Sequence, residues 1–271
     1  MIVVKIIGGI GNQMFQYAVG LCLAEKNNTE LKLAISDFAK YGNRKFQLNV
    51  FNINAEIATQ DEIDKIKSEN YRKEKHFHFD SKVLDLPDNV YLDGYWQSEK
   101  YFKDIETIIR KEFTFKETPD DTNQELLDKI KSSNSVCIHI RRGDYVSTLK
   151  ARLVHGTCSL NYYKKAMSFI IRKIENPHFY IFSDDTDWVK KNFKINDKMT
   201  IVDNNNDSSG CLDLMLMSNC QHFIIANSSF SWWASWLGKN PRKLIFAPKR
   251  WFGILSNVSS KDLYVKEWIT T

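Results

Sequence analysis

The fold is decided by a stretch that ends in two arginines, Ser135-Val136-Cys137-Ile138-His139-Ile140-Arg141-Arg142-Gly143-Asp144-Tyr145. Its first six residues form a short, mostly apolar run that predicts an interior strand. Because arginine is rarely buried without a partner, two arginines at the end of that strand indicate an anion there. The guanidinium fork matches phosphate oxygens, and ligands of α/β sheets bind at the carboxyl ends of strands. The alternative is that Arg141 or Arg142 pairs with Asp144 and only stabilises a turn.

Composition sets the class of protein. The chain has 271 residues, of which 43% are hydrophobic and 26% charged, as in globular proteins of two domains. A net charge of +5 suits an anionic ligand or an acidic membrane surface, but it is too small and dispersed to indicate nucleic-acid binding. Five scattered cysteines without CxxC spacing favour reduced thiols. With no signal peptide and no membrane-spanning run, we expect a cytoplasmic protein.

Apolar β runs alternate with helical patterns along the chain, which predicts an α/β fold with parallel sheets. The clearest strands are expected at 2–7, 31–35, 90–93, 135–140, 179–182, 199–202, 223–226 and 244–246. A charge-rich stretch at 61–75 favours a surface helix, and the polar stretch 117–123 favours a linker. We expect two Rossmann-like domains, residues 1–130 and 131–271, that face each other across a cleft.

A glycine-rich loop follows the first strand, at Gly8-Gly9-Ile10-Gly11-Asn12-Gln13-Met14. Glycines between a strand and a helix let the backbone approach a ligand, and a helix N-terminus favours negative charge. Gly9 and Gly11 fit the dinucleotide fingerprint, but Met14 occupies the third glycine position. The loop therefore predicts either a binding role or a tight turn, with Asn12 as a helix cap in the second case.

Polar pairs follow two strands of the second half. Asp184 and Asp185 could bind a metal, act as a base, accept hydrogen bonds from guanine or ribose, or cap the next helix. Ser228 and Ser229 open a helix, where hydroxyl groups cap the helix or hold a phosphate. The tryptophans at 232, 233 and 236 have helical spacing, which favours core packing for at least two of them.

Five segments in this order resemble the bacterial α-1,2-fucosyltransferases of glycosyltransferase family 11: 8–18 (GGIGNQMFQYA), 94–102 (GYWQSEKYF), 139–145 (HIRRGDY), 182–185 (FSDD) and 227–236 (NSSFSWWASW). The resemblance spans nearly the whole chain, and the combination is highly specific. It implies a GT-B fold, as in the related α-1,6- and protein O-fucosyltransferases, which share the His-x-Arg-Arg segment. It also implies transfer of L-fucose from GDP-β-L-fucose with inversion and without a bound metal or other cofactor.

The resemblance implies how the donor is bound. Arg141 corresponds to the arginine that contacts the leaving β-phosphate. His139 and Asp184 correspond to the pair that recognises guanine and neighbouring nucleotide atoms, and Ser228 and Ser229 to the serines that hold the pyrophosphate. We expect the remaining donor-binding residues to be Arg142, Asp185, Gly9, Gly11 and Gln13.

The predicted catalytic residues are Arg141, Asn12 and Asp144. By resemblance, Asn12 reaches into the reaction centre from the glycine loop. In the α-1,6 relatives a glutamate beyond the Arg-Arg segment is the base, and the corresponding place here is near Leu149. Two explanations stay open: Asp144 is the base, or a dissociative transition state needs little help from one.

The implied acceptor is the 2-hydroxyl of a galactoside in a surface polysaccharide such as O-antigen or capsule. A lipid-linked acceptor would bring the protein to the inner face of the membrane. Two other functions compete with this one: a nucleotide- or carbohydrate-binding protein that has lost turnover, and a nicotinamide-dependent dehydrogenase, which the broken glycine fingerprint disfavours.

Overall fold

The computed structural model describes residues 1–39, 44–194, 196, 198–205 and 210–271, apart from the side chains of Asp144 and Ala151. The chain forms two compact units. Unit 1 consists of residues 1–117 and 258–265, and unit 2 of residues 118–257 and 266–271. Each unit is built on a parallel β-sheet. Within the described residues, no helix is long and apolar enough to cross a membrane.

Unit 1 has a five-stranded sheet in the order β3-β2-β1-β5-β4. Its strands are β1 (Ile2–Lys5), β2 (Leu31–Ala34), β3 (Glu56–Ile57), β4 (Tyr71–Lys73) and β5 (Val90–Asp93). Its helices are α1 (Ile10–Asn27), α2 (Gln60–Glu69) and α3 (Glu106–Glu112). The charge-rich stretch forms α2 as expected, but the helix ends at Glu69 and the chain continues into β4. A capping box at Thr59 and Glu62 fixes the start of α2.

Unit 2 has a six-stranded sheet in the order β11-β10-β9-β6-β7-β8. Its strands are β6 (Asn134–Ile140), β7 (Pro177–Ser183), β8 (Met199–Val202), β9 (His222–Ile224), β10 (Ile245–Ala247) and β11 (Ile269–Thr270). Its helices are α4 (Asp121–Lys131), α5 (Gly143–Val146), α6 (Leu149–His155), α7 (Leu160–Lys173), α8 (Thr186–Asn192), α9 (Gly210–Ser218) and α10 (Ser229–Leu237). From its other edge the sheet has the order β8-β7-β6-β9-β10-β11. When the six strands are numbered from 1 to 6 along the chain, this is the 3-2-1-4-5-6 order of a Rossmann fold.

The division between the units differs from the expected boundary at residue 130. The structure places it after Glu117, since α4 contacts β6 and α9 and buries Leu127 and Ile130 in unit 2. The chain then returns to unit 1 at residues 258–265, where Asp262 accepts hydrogen bonds from Phe79 N and Lys100 Nζ. Sequence periodicity cannot show this return, because it depends on contacts between residues far apart in the chain.

The cores follow the predicted pattern of buried strands and amphipathic helices. The core of unit 2 lies between β6, β7 and α7, where Val136, Ile138, Ile170 and Ile181 are fully buried. The three tryptophans of α10 are also buried and pack against one another, which confirms the predicted core role.

Gly20 tests how tightly α1 packs on the sheet of unit 1. A Cβ at this position would lie 2.8 Å from Leu31 Cδ1 and 3.1 Å from Val4 Cγ1. We expect Gly20→Val to lower the free energy of unfolding by about 1–3 kcal/mol through overpacking. Gly210→Val is the matched control, because a Cβ there meets no atom of the described part of the chain within 4 Å. Urea unfolding measures both, and equal stability of the two variants would contradict this packing.

Candidate active site

The strand order of unit 2 points to the ends of β6 and β9. These adjacent strands are where the order reverses, and ligands of open α/β sheets bind in the crevice at such a point. Arg141 and Arg142 follow β6, and residues 227–229 follow β9. The fold therefore brings the arginines and the serine pair to the edge of the sheet that the sequence predicted.

His139 is the last but one residue of β6, and its side chain is only 5% exposed. Its ring packs against Phe230, with the ring centroids 5.6 Å apart. Burial, and then the charge of Arg141, lower the pKa of His139 to about 3. Within the described residues its Nδ1 has no hydrogen-bond partner. The site therefore holds a neutral imidazole, and a buried ring nitrogen of this kind calls for a partner.

Each arginine pairs with an aspartate that follows the neighbouring strand β7. Arg141 Nη1 lies 3.1 Å from Asp184 Oδ2, and Arg142 Nε lies 3.1 Å from Asp185 Oδ2. The backbone N–H of Arg142 also donates to Asp184 Oδ1 at 2.8 Å. The turn-stabilising alternative had named Asp144 as the partner, and that side chain lies outside the described residues. The carboxylates found opposite the arginines are those of Asp184 and Asp185.

Gly143 allows this arrangement. A Cβ on this residue would lie 2.5 Å from Asp184 Oδ2, which is closer than real contacts allow. A glycine at the first position of α5 therefore lets the Asp184 carboxylate approach the backbone after β6. A larger residue would displace the group that orients Arg141.

Both arginines also lie over aromatic rings. Arg141 Cζ is 5.6 Å from the centroid of the Tyr145 ring, and Arg142 Cζ is 4.2 Å from that of Trp188. Contacts of this kind are favourable, and they restrict where a guanidinium can point. Arg141 is thus held from two sides, by the Asp184 carboxylate and by the Tyr145 ring.

Asp185 and Ser228 cap helices. Asp185 Oδ1 accepts a hydrogen bond from Trp188 N at the start of α8, and Ser228 Oγ accepts one from Phe230 N at the start of α10. The capping interpretation is therefore confirmed for these two residues, and Asp185 also pairs with Arg142. Asn227 holds the preceding loop, because its Nδ2 donates to the carbonyl oxygens of His155 and Trp251. Ser228 and Ser229 stand at the N-terminal end of α10, where helix N–H groups favour an anion.

The glycine loop of unit 1 also lies at a point where strand order reverses, between β1 and β5. Gly8 has a φ of +78°, and Gly9 is the N-cap of α1 without any side-chain cap. The capping alternative for Asn12 is therefore wrong. Its Oδ1 instead accepts a hydrogen bond from Gln97 Nε2 at 2.8 Å.

Gln13, which we expect among the donor-binding residues, has a side-chain amide that bonds to the protein backbone. The side chain is fully buried, and its amide bonds to the backbone of three residues, Gly8, Lys45 and Gln47. This geometry supports a structural role: the buried amide of Gln13 holds the glycine loop in place. The sequence could not reveal these bonds, since two of the partners lie more than 30 residues away.

Two residues that the sequence analysis did not single out are linked to Asn12, one directly and one through the backbone. Gln97 bonds to it directly, and Glu74 accepts hydrogen bonds from the backbone that precedes Gln97. Gln97 belongs to the segment 94–102 that the family resemblance had used, so a signal for it was present. Glu74 lies in a charge-rich stretch that offered no such signal.

Two parallel sheets of Rossmann type are the architecture of the α/β proteins known as GT-B glycosyltransferases. Structures of the NodZ α-1,6-fucosyltransferase match 90% of this chain and 94% of that one, with a TM-score of 0.53 and 13% identity for the form crystallised with GDP. A likeness at that identity shows the fold alone, and it confirms the predicted GT-B fold.

The family model of glycosyl transferase family 11 matches residues 1–271, and the chain belongs to that family. It is 33% identical to an α-1,2-colitosyltransferase of Escherichia coli over 99% of this chain and 98% of that protein. It is 32% identical to the O-antigen biosynthesis glycosyltransferase WbnK of the same species, over 97% of each. Human galactoside α-(1,2)-fucosyltransferase 1 is 25% identical over 85% of this chain and 63% of that protein. The protein is therefore a glycosyltransferase of a family that includes fucosyltransferases.

The lowered pKa of His139 predicts a pH dependence of stability. Below pH 6.5 the unfolded chain protonates this histidine, whereas the folded protein does so only near pH 3. Stability is thus fully present above 6.5 and falls as the pH decreases toward 3, with a slope of about 1.4 kcal/mol per pH unit from this group.

Replacing the group should remove that slope. We expect His139→Gln to flatten the pH dependence of unfolding between pH 6.5 and 4, measured in urea at several pH values. The exposed His76→Gln serves as control. Parallel curves for the wild type and His139→Gln would show that the histidine is not buried in its neutral form.

Proposed function

We propose that this protein transfers L-fucose from GDP-β-L-fucose, with inversion, to the 2-hydroxyl of a galactoside during synthesis of a surface polysaccharide. The observation that carries the proposal is the position of Arg141, fixed by Asp184 at the end of β6. The names of its relatives support the linkage, because two of the relatives cited above are α-1,2-transferases. The O-antigen relative supports the place of the reaction in the cell.

Arg141 fits the charge that develops in this reaction. When the bond between fucose and the diphosphate breaks, negative charge builds on the β-phosphate while the sugar becomes oxocarbenium-like. A guanidinium that is already oriented stabilises that charge more in the transition state than in the ground state. In the proposed reaction Arg141 supplies the positive charge that a divalent metal provides in other enzymes, so no metal is required.

The donor nucleotide is proposed to bind at the same edge of the sheet. Among the residues that the structure describes, His139 Nδ1 has no partner, and the N-terminal end of α10 with Ser228 and Ser229 offers N–H and hydroxyl groups for the pyrophosphate. Asp184 already accepts from Arg142 N and pairs with Arg141. A carboxylate has about four lone-pair sites, so its proposed contact with guanine is compatible with both bonds.

In unit 1 the proposal gives Asn12 a part in the transfer step, through an amide group that Gln97 holds. Gly9, the N-cap of α1, and Gly11, in the first turn of the helix, are proposed to let the backbone there approach a ligand. Asp144 is proposed as the base, and a dissociative transition state that needs little base help remains the alternative.

Transfer of colitose is the second candidate function. The observation that favours it is the 33% identity to the colitosyltransferase over nearly the full length of both chains. Colitose is L-fucose without its 3-hydroxyl. A site that binds this hydroxyl rejects a sugar without it by a large factor, whereas a site lined by apolar groups discriminates weakly.

The proposed role of Arg141 can be tested by mutation. We expect Arg141→Lys to lower kcat on the order of a hundredfold, because lysine keeps the charge but loses the planar fork that matches phosphate. The fold should survive, since lysine can still pair with Asp184. Arg172→Lys, on the exposed face of α7, is the matched control and should keep full activity. A near-normal kcat for Arg141→Lys would rule out the role at the leaving group.

The choice of donor and the independence from a metal can be tested in one assay. Purified enzyme is supplied with GDP-fucose or GDP-colitose and with galactoside acceptors, and product is measured with and without excess EDTA. We expect transfer from GDP-fucose to the 2-hydroxyl, unchanged by EDTA. Preference for GDP-colitose would establish the second candidate, and loss of activity that Mg²⁺ restores would refute metal independence. Binding of GDP without any transfer would favour a protein that has lost turnover.

A further inference from the structure

The segment that begins at Gly94 enters the function proposed above only through Gln97, which bonds to Asn12. It follows β5, and β5 pairs with β1, so the two loops that leave these strands lie side by side. One loop carries Gly94 to Gln97, and the other carries Gly8 and Gly9 into the first turn of α1, where Asn12 lies. Ligands of parallel sheets bind where two such loops diverge. The neighbourhood of Asn12 is therefore shaped by a second loop.

Glu74 fixes this second loop. Its carboxylate accepts hydrogen bonds from Tyr95 N at 2.7 Å and from Trp96 N at 3.1 Å. Burial of the carboxylate raises the pKa of Glu74. A half-buried carboxylate that accepts two backbone N–H groups holds a turn in place, because losing it leaves both donors unpaired. Glu74 is thus the anchor of the turn.

The turn that it anchors is strained. Trp96 has a φ of +54° and its side chain is 1% exposed, so a bulky residue is held in the left-handed region. Such a conformation is unfavourable for a residue with a side chain and persists only where its surroundings enforce it. Gly94 allows Glu74 to lie against the turn, because a Cβ on this glycine would be 2.4 Å from Glu74 Cβ. Strain of this kind is characteristic of functional sites.

The strained turn delivers Gln97 to Asn12. Gln97 is 7% exposed, and its Nε2 donates to Asn12 Oδ1 at 2.8 Å. A second link joins the loops, since Gln16 donates to Gly94 O and accepts from Ile7 N. With Oδ1 bonded to Gln97, the Nδ2 of Asn12 lies over Gly8, 2.8 Å from the place of a Cβ on that residue. The amide of Asn12 therefore has one defined orientation.

We propose that Glu74 and Gln97 are positioning residues: Glu74 holds the turn, the turn holds Gln97, and Gln97 orients the Asn12 amide for the transfer step. This inference rests on the role given to Asn12 in the proposed function. Small misplacement of a reacting or stabilising group costs a large factor in rate, which is why a residue without substrate contact can affect kcat.

A double-mutant cycle tests the proposal. We expect Gln97→Ala to lower kcat about tenfold, on the scale of misplaced catalytic groups. The KM for the donor and the affinity for GDP should change by less than about threefold, as for an interaction made mainly in the transition state. In an Asn12→Ala background, Gln97→Ala should have no further effect on kcat. The exposed Gln60→Ala, in the same unit, is the matched control and should leave all three quantities unchanged.

Glu74→Gln gives an independent reading, because it keeps the size of the side chain but weakens acceptance of the two N–H groups. It should also lower kcat, again without further effect in the Asn12→Ala background. Thermal unfolding of each variant separates loss of fold from loss of positioning. Should Gln97→Ala fail to fold, the cycle of Glu74→Gln with Asn12→Ala decides the question.

The outcomes separate this inference from the proposed function. Wild-type transfer from GDP-fucose tests the function itself, and the coupling to Asn12 can be measured with whichever donor the enzyme uses. Additive effects of Gln97→Ala and Asn12→Ala on kcat would overturn the positioning role while leaving the function standing. An unchanged kcat in Asn12→Ala would also overturn it, because there would be no catalytic amide to position.

Discussion

The ion pair between Arg141 and Asp184 is the contact on which the site of unit 2 depends. Parallel pairing of β6 with β7 aligns Ile140 with Ser183, so the next residue of each strand lies at the same edge of the sheet. An arginine and an aspartate at these two positions meet at 3.1 Å. An isolated charge at the end of an interior strand is costly because it loses hydration. Each group of the pair offsets part of that cost for the other.

The surroundings of this pair have a further consequence for His139. The positive charge of Arg141 and the burial of the ring both disfavour the imidazolium, so the histidine stays neutral over the whole physiological range of pH. The edge of the sheet thus combines two arginine–aspartate pairs with a neutral imidazole. Such an arrangement suits a nucleotide diphosphate, whose charge is concentrated in the phosphates while its base is recognised by hydrogen bonds.

The two units use the same architectural position in different ways. In unit 2 the loop after β6 carries two arginines, and the carboxylates that follow β7 pair with them. In unit 1 the corresponding segments carry glycines and amides, and the carboxylate of Glu74 accepts hydrogen bonds from backbone N–H groups. The amides of Gln13, Gln16 and Gln97 join segments that are far apart in sequence. Precision in unit 1 therefore comes from fully bonded amides and a strained turn.

The sequence alone determined the parallel α/β class, most strands and the loops that carry the candidate residues. These depend on local periodicity and on residue types at strand ends, which the chain displays directly. It also indicated the family, because five short segments occur in a specific order. It could not show that α4 belongs to unit 2 or that residues 258–265 return to unit 1.

Only the tertiary structure decided which partner each polar group takes. Arg141 pairs with Asp184, 43 positions further along the chain, and Asn12 bonds to Gln97, 85 positions away. Gln13 was expected at a ligand and is instead bonded to the backbone. The physical reason is that hydrogen bonds and ion pairs are chosen by proximity in the folded chain, and strand order sets that proximity. Local sequence shows which groups need partners, and the topology of the sheets determines which partners they find.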